Sequence, residues 1–319
     1  MNNIIKHLEP QIRPSTLIVA FAGWPDASQS ATDAINFLIQ GLPALKFAEI
    51  DPEEFFVFSE ERPEVRIGQN NERVILWPEN DFYCHSFQQK DRNIILLNGT
   101  EPNIKWKKFI SLVFQIVSEQ KVDKIISVGS LLDAVPHTRP LRISGSSTST
   151  QEAKKIEWSG VRKSKYQGPT SIHSLFVDAC KSEDIIHTSL WVHCSHYVNS
   201  NTNPRAAYTL LKNLKEICEI QIDLSELKIS AERFDVQMDK AIEDDPEISS
   251  YVSQLEENYD SSSVSLDEIP NHESVVEELE DFLRRKFPQD HVVAVNKGVK
   301  GGDCILSINN QSEKDCAKI

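Results

Sequence analysis

Through about residue 220, short runs of apolar residues alternate with longer stretches in which apolar positions return every three or four residues. The runs fall at residues 17–22, 46–50, 74–77, 93–97, 124–128, 141–143 and 187–192. Several are unbroken, as a strand buried on both faces requires. Between them lie four helical stripes. Ala31, Ala34, Ile35, Leu38 and Leu42 form the first; Trp106, Phe109, Ile110, Val113 and Val117 the second; Ile172, Leu175, Phe176 and Ala179 the third; Ala207, Leu210, Leu211, Leu214 and Cys218 the fourth. Each stripe predicts an amphipathic helix, and the alternation predicts a three-layer α/β/α fold around a mostly parallel sheet. Between residues 55 and 87 the pattern breaks into short β-like pieces between turns, which read as an antiparallel excursion at the sheet edge.

After Asp223 only the helical period continues. Leu227, Ala231, Phe234, Met238 and Ala241 form one stripe, and Ile248, Tyr251, Val252, Leu255 and Tyr259 a second. Asp244-Asp245-Pro246-Glu247 separates them and restarts the helix, with Asp245 as cap and Pro246 in the first position. The seam, represented by Leu227, Phe234, Met238, Ile248, Tyr251 and Leu255, must pack either on the body of the chain or on another subunit. A Ser-rich stretch follows at 261–263, then a further amphipathic pattern around Val275, Val276, Leu279, Phe282 and Leu283. The expected organisation is a core over 1–225, an acidic helical hairpin over 226–260, and a partly disordered extension over 261–319.

Charge sharpens that division. The net charge of -14 is uneven: residues 1–225 carry 26 acids against 24 bases, and residues 226–290 carry 19 against 6. A near-neutral body with an acidic appendage argues against nucleic-acid binding, which needs a basic face. The appendage is either a solvated helical surface or a dock for a basic partner. No apolar run is long enough to span a bilayer, and the first residues lack a signal-peptide core, so the expectation is a cytoplasmic protein without membrane contact. The six cysteines include no C-x-x-C pair and read as small core hydrophobes and tail thiols.

Candidate chemistry lies where strands end. Gly23-Trp24-Pro25-Asp26, Asn98-Gly99-Thr100-Glu101-Pro102, the stretch from Gly129-Ser130 to His137-Thr138-Arg139, and His196-Tyr197-Val198-Asn199 each follow a predicted strand. In a parallel sheet these loops converge at one edge, where ligands bind. The candidate pocket or contact surface is therefore Gly23, Trp24, Asp26, Gly99, Glu101, Gly129, His137, Thr138, Arg139, His196 and Tyr197. Asp26 is placed as a helix cap with Gln29 in capping-box position, occupying amides that a phosphate would otherwise use. His193 and His196, three apart on an extended chain, point to opposite faces, so no metal site is expected. The chain contains no G-x-S-x-G, no G-x-x-x-x-G-K-[ST] and no G-x-G-x-x-G. No catalytic residue and no cofactor is assigned.

These loops also carry a resemblance. Phe21-Ala22-Gly23-Trp24-Pro25-Asp26-Ala27, Ala48-Glu49-Ile50-Asp51-Pro52-Glu53-Glu54-Phe55 and Arg62-Pro63 resemble the opening of the proteasome-assembly-chaperone family in its bacterial form. Trp77-Pro78-Glu79-Asn80, Gly99-Thr100-Glu101-Pro102, Val135-Pro136-His137-Thr138-Arg139-Pro140, Tyr166-Gln167-Gly168-Pro169-Thr170, Ser189-Leu190-Trp191 and His196-Tyr197-Val198 are similar to its later motifs, in order. The resemblance covers about residues 15–260. It implies a nucleoside-phosphorylase-like fold, a homo-oligomer with a trimer among its forms, and, in eukaryotes and archaea, assembly of proteasome rings without catalysis. The first βα loop of such phosphorylases binds phosphate. Here Pro25 removes an amide donor and Asp26 adds a negative charge, which weakens that use. The final residues, Ala317-Lys318-Ile319, also lack the hydrophobic-Tyr-any tail with which such chaperones dock on proteasome rings. His193-Cys194-Ser195 departs from the small, proline-containing run expected before His196.

Two functions compete. The first is a non-enzymatic, cytosolic, oligomeric binding or assembly-chaperone-like protein with a protein client. The alternative is a phosphorylase- or hydrolase-like enzyme, or a ligand-binding protein, with Asp26 or His137 as general acid/base and Arg139 as anion clamp.

Overall fold

The computed structural model describes residues 3–10, 14–68, 70–86, 93–164, 166–198, 200–243 and 245–262. In chain order the first half holds β1 (Ile4–Lys6), β2 (Pro14–Ala22), α1 (Ser30–Gly41), β3 (Leu45–Ile50), β4 (Glu64–Ile67), β5 (Arg73–Leu76), β6 (Asn80–Ser86), β7 (Asn93–Thr100), α2 (Trp106–Glu119) and β8 (Lys124–Asp133). The second half holds β9 (Ile143–Ser147), α3 (Thr150–Trp158), β10 (Arg162–Lys163), α4 (His173–Ser182), β11 (Ile186–Ser195), α5 (Pro204–Ile217), α6 (Ser225–Glu243) and α7 (Pro246–Ser262). The helical pattern expected around Val275–Leu283, Ser263, Cys304, Cys316 and the rest of the extension lie outside the described residues.

One nine-stranded sheet has the order β1-β3-β6-β7-β2-β8-β11-β9-β10. Its centre, β7-β2-β8-β11, is parallel, as the apolar runs predict. Antiparallel pairings join β1, β3 and β6 on one side and β9 on the other. Side chains alternate along each strand, so β2 sends Ile18 and Ala20 to one face and Leu17, Val19 and Phe21 to the other. The first face packs on α1, α3 and α5; the second packs on α2 and α4. That is the predicted three-layer arrangement.

The stretch after residue 55 divides. Residues 80–86 become a full sheet strand, β6, between β3 and β7, while β4 and β5 pair only with each other. The run expected at 141–143 forms a strand only from Ile143; just before it, the Arg139 and Pro140 carbonyls accept from Arg205 of α5 and Tyr259 of α7. Cys180 and Cys194 are buried core residues, and Cys84 and Cys218 are half-buried.

The last two helices fold back on the body. α6 packs along α5, burying Ala231 and Phe234, while Leu227 reaches the edge of the main core. α7 buries Val252 and Leu255. Asp245 caps α7 through its Oδ1, which accepts from the amides of Glu247 (3.1 Å) and Ile248 (3.2 Å). Met238, Ile248 and Tyr251 are half-buried on the same seam. Burying a Phe and a Leu here is worth about 2 kcal/mol each. Phe234→Asp with Leu255→Asp is therefore expected to detach the helix pair, raising amide exchange across 225–262 while the sheet stays protected. Unchanged exchange over those residues would contradict this packing.

Candidate functional site

The carboxyl end of the sheet is built from two polar centres rather than one pocket. The first is the corner after β2. Gly23 turns the chain with φ +107°, a region open to glycine at little cost. The Asp26 amide bonds the Gly23 carbonyl at 3.1 Å, and residues 27–29 make one 3-10 turn. Ser28 and Gln29 then adopt left-handed backbone, φ 53° and 51°, a strained pair for non-glycine residues. This bend returns the Asp26 carboxylate over the start of α1. Its Oδ1 accepts from the Ala31 amide at 2.6 Å; its Oδ2 accepts from the Thr32 amide at 3.2 Å and the Thr32 hydroxyl at 2.5 Å.

The corner also ties β2 to β8. The Ser130 amide donates to the Pro25 carbonyl at 2.9 Å. Ser130 Oγ lies 3.1 Å from Asp26 Oδ1 and 2.9 Å from the Ala27 carbonyl, so its proton is shared. The expected capping box is corrected by this geometry. Asp26 occupies the helix amides, but from five and six residues upstream, and Gln29 is itself the left-handed residue preceding α1. Asp26 is 6% exposed, and its pKa is raised by burial against the opposing effect of these hydrogen bonds. Asp33, one turn into α1, is pushed up to about 6, first by burial and then by the Asp26 charge.

Glu101 repeats the device on the other side. Its amide bonds the Ala22 carbonyl at 2.9 Å, and its Oε1 accepts from the Ile172 amide at the start of α4 at 2.7 Å. Burial raises its pKa to about 7, the Ile172 bond opposing. Gly99 lies beside it under the buried Asn80 amide. Gly129 admits the Trp191 ring, since a Cβ there would lie 2.6 Å from a ring carbon. Trp191 in turn packs against the His173 ring, which also meets Phe21.

The second centre gathers His137, Thr138, Arg139, His196 and Tyr197 under α6 and α7. Tyr197 Oη accepts from the His137 amide at 2.7 Å and lies 2.6 Å from His137 Nδ1; His137 Nε2 is 3.1 Å from Asp239. One assignment satisfies the ring: Tyr197 donates to Nδ1, and Nε2–H donates to Asp239. Arg139 makes a bidentate pair with Asp260, 3.0 and 2.8 Å, and reaches Glu256 at 3.1 Å. Thr138 donates to the same Glu256 oxygen. Arg205 on α5 binds the carbonyls of His137 and Arg139 together with Asp235. Tyr251 donates to His196 at 3.1 Å, and Tyr259 to the Pro140 carbonyl at 2.8 Å.

The structure thus joins Gly23, Asp26, Gly99, Glu101 and Gly129 around β7-β2-β8. It places the other predicted polar residues in a separate clasp, and leaves Trp24 exposed without a role in either. Sequence reasoning missed Thr32, Arg205, Asp235, Asp239, Glu256 and Asp260. The acidity of 226–260 was the available signal, and part of it faces His137, Arg139 and Arg205. A half-open cavity of about 450 Å³ lies elsewhere, between Lys6, Phe47, Ile116 and Lys121, near the amino end of β8. Among the described residues no group of three or more His, Cys, Asp or Glu could hold a metal, and no helix is long and apolar enough to cross a membrane.

Fold and site together define a three-layer α/β/α protein whose strand-end loops are capped and clasped by its own carboxylates. A model of the PAC2 family matches residues 20–242, and the chain belongs to that family. A PAC2 family protein from Streptomyces avermitilis is 31% identical over 74% of this chain and 99% of its own, with a TM-score of 0.68. A proteasome-assembly chaperone homologue from Mycobacterium tuberculosis has the same identity and coverages, with a TM-score of 0.67. An archaeal proteasome activator from Pyrococcus furiosus shares the fold at 21% identity, covering 76% of this chain and 99% of its own, with a TM-score of 0.60. No curated protein matches the chain in sequence.

A carboxyl whose folded pKa lies above its unfolded value binds protons preferentially in the folded state, so stability falls as pH rises between the two values. For Glu101 the window runs from 4.5 to about 7. Glu101→Gln should flatten the pH dependence of Tm across that window; an unaltered slope would remove Glu101 as its source. Two acids of the clasp, Asp239 and Asp260, are each 56% exposed at the side chain, so their ion pairs should weaken with salt. Arg139→Ala should speed amide exchange in α7 at low salt, with the difference from wild type shrinking near 1 M NaCl.

Proposed function

We propose that this protein is a cytoplasmic, oligomeric binding protein with an assembly-chaperone-like role, engaging a protein client through its surface rather than through chemistry at the strand-end loops. The observation that carries the reading is where polar and apolar groups lie. Asp26 and Glu101, which an enzyme would aim at substrate, are occupied with the starts of α1 and α4. His137 and Arg139 are bound to Asp239, Glu256 and Asp260.

Several large apolar side chains are exposed instead. The β4–β5 ribbon shows Val65, Ile67, Val74 and Ile75 to solvent, with Trp77 following it, and Trp24 projects from the β2 corner. A lone two-stranded ribbon is marginal in water, and apolar surface of this kind marks protein contacts. The near-neutral body with an acidic appendage supports a protein client over nucleic acid. Kinship supports the same reading, since relatives at 31% identity include a proteasome-assembly chaperone homologue. The buried sides of α6 and α7 leave their outer faces, including Ile229 and Val236, for contact with a second copy or a client.

Light scattering on the size-exclusion peak, with affinity capture and mass spectrometry, tests this. A discrete oligomer, a trimer among the expected sizes, together with a reproducible client, is expected. Val65→Asp with Ile75→Asp should lower client recovery about tenfold without changing Tm, since these side chains are exposed. A strictly monomeric protein that captures nothing would contradict the proposal.

A further inference from the structure

The second face of the sheet is apolar over β7, β2 and the start of β8, and carries buried polar groups further along β8, β11 and β9. There Asp133, His193 and Ser144 form a chain across three adjacent strands. Asp133 Oδ2 lies 2.7 Å from His193 Nδ1, and His193 Nε2 lies 2.8 Å from Ser144 Oγ. Asp133 is fixed in turn by the Ala134 amide, 2.7 Å from its Oδ1. Burial alone would raise the Asp133 pKa, but His193, Ala134 and Arg142 together bring it below the ordinary value. An ionised Asp133 can only accept, so Nδ1 carries the ring proton, Nε2 is left as acceptor, and the Ser144 proton is directed onto it. This is the order of acid, base and hydroxyl that activates a serine, recognised by geometry rather than by chain order.

The surroundings give the site a charge preference. Arg162 is the register partner of Ser144 on β10, and parallel partners share a face. Arg142 flanks the start of β9; burial and then the like charge of Arg162 lower its pKa. Two guanidinium groups held near one hydroxyl suit a substrate that carries its own negative charge. Ser144 is 3% exposed, but Ser146, on the same face two residues on, is open to solvent beside Ser189. Tyr259 of α7 stacks on Arg142, 4.2 Å from the guanidinium carbon to the ring centre, so the clasp also covers this end of the site.

The geometry points to Ser144 as a nucleophile, with His193 as its base and Asp133 as positioning residue, that takes the acyl group of a small anionic ester when α7 swings away. Ser144 Oγ bonds to the ester carbon as its proton passes to His193 Nε2. The carbon–oxygen bond to the alcohol breaks, and the alcohol leaves with that proton. Water then attacks the acyl-serine, giving one proton to His193, which returns it to Ser144 as the carboxylic acid departs. This activity is separate from client binding and draws its three residues from β8, β11 and β9, apart from the corner at Asp26 and the clasp at His137 and Arg139.

A fluorophosphonate probe applied to the full chain, with the adduct located by peptide mass spectrometry, tests it. Turnover of 4-nitrophenyl hemisuccinate against 4-nitrophenyl acetate is measured alongside. One adduct on Ser144 is expected, absent in Ser144→Ala and slowed about 100-fold in His193→Gln, the scale of a lost general base. Asp133→Asn, which disturbs the ring tautomer, serves the same purpose if His193→Gln does not fold. Arg139→Ala with Tyr259→Phe should raise labelling severalfold, and the anionic ester should be the faster substrate. No adduct on Ser144 in wild type and in the loosened variant, or labelling indifferent to whichever of the His193 and Asp133 variants folds, overturns the proposal. Preference for the neutral ester overturns the role given to Arg142 and Arg162.

Discussion

The Asp26 carboxylate is the constraint on which the carboxyl end of this sheet depends. It is buried, yet it must satisfy two backbone amides and two hydroxyls from α1 and β8 at once. Only a chain that doubles back can present it to them, which is why Ser28 and Gln29 occupy left-handed backbone. That strain costs about 1–3 kcal/mol per residue. Hydrogen bonds to a charged group contribute about 1.5–3 kcal/mol each, so the bonds at Asp26 hold the bend. Removing the carboxylate would leave the Ala31 and Thr32 amides buried without partners.

The same logic runs across the whole edge. In an open α/β sheet, helix starts at strand ends supply free amides to an anionic ligand. Here the chain supplies the anions. Asp26 stands at α1, Glu101 at α4, and α6 and α7 bring Asp239, Glu256 and Asp260 onto His137 and Arg139. Burial raises the pKa of both capping carboxyls, and for Glu101 this places the change in charge near neutrality. The strand ends are thereby closed by intramolecular bonds, while the apolar ribbon faces outward.

Much of the fold was legible because burial on both faces leaves unbroken apolar runs, as at Ile94, Ile95, Leu96 and Leu97. Strand β6 was not, because Asn80, Asp81 and His85 interrupt its period and its place between β3 and β7 depends on a pairing distant in sequence. The corner at Asp26 was legible as a self-capped helix start, but not its geometry, since nothing in the sequence signals two left-handed residues in succession. The convergence of His137 with His196 was readable from strand ends alone. Their partners on α6 and α7 were not, because the choice between folding back and binding a second subunit turns on tertiary packing. His193 was weighed only with His196 for a related reason: Asp133 and Ser144 lie 60 and 49 residues away and meet it only through the order β8-β11-β9.

The chain's own carboxylates occupy the amides an anionic ligand would use. Inorganic phosphate titrated into isotope-labelled protein, followed at the Ala31, Thr32 and Ile172 amides by nuclear magnetic resonance, tests it most directly. No saturable shift is expected at these three signals in wild type, and one should appear at Ala31 and Thr32 in Asp26→Ala. A saturable shift at the same amides in wild type, at millimolar phosphate, would contradict it.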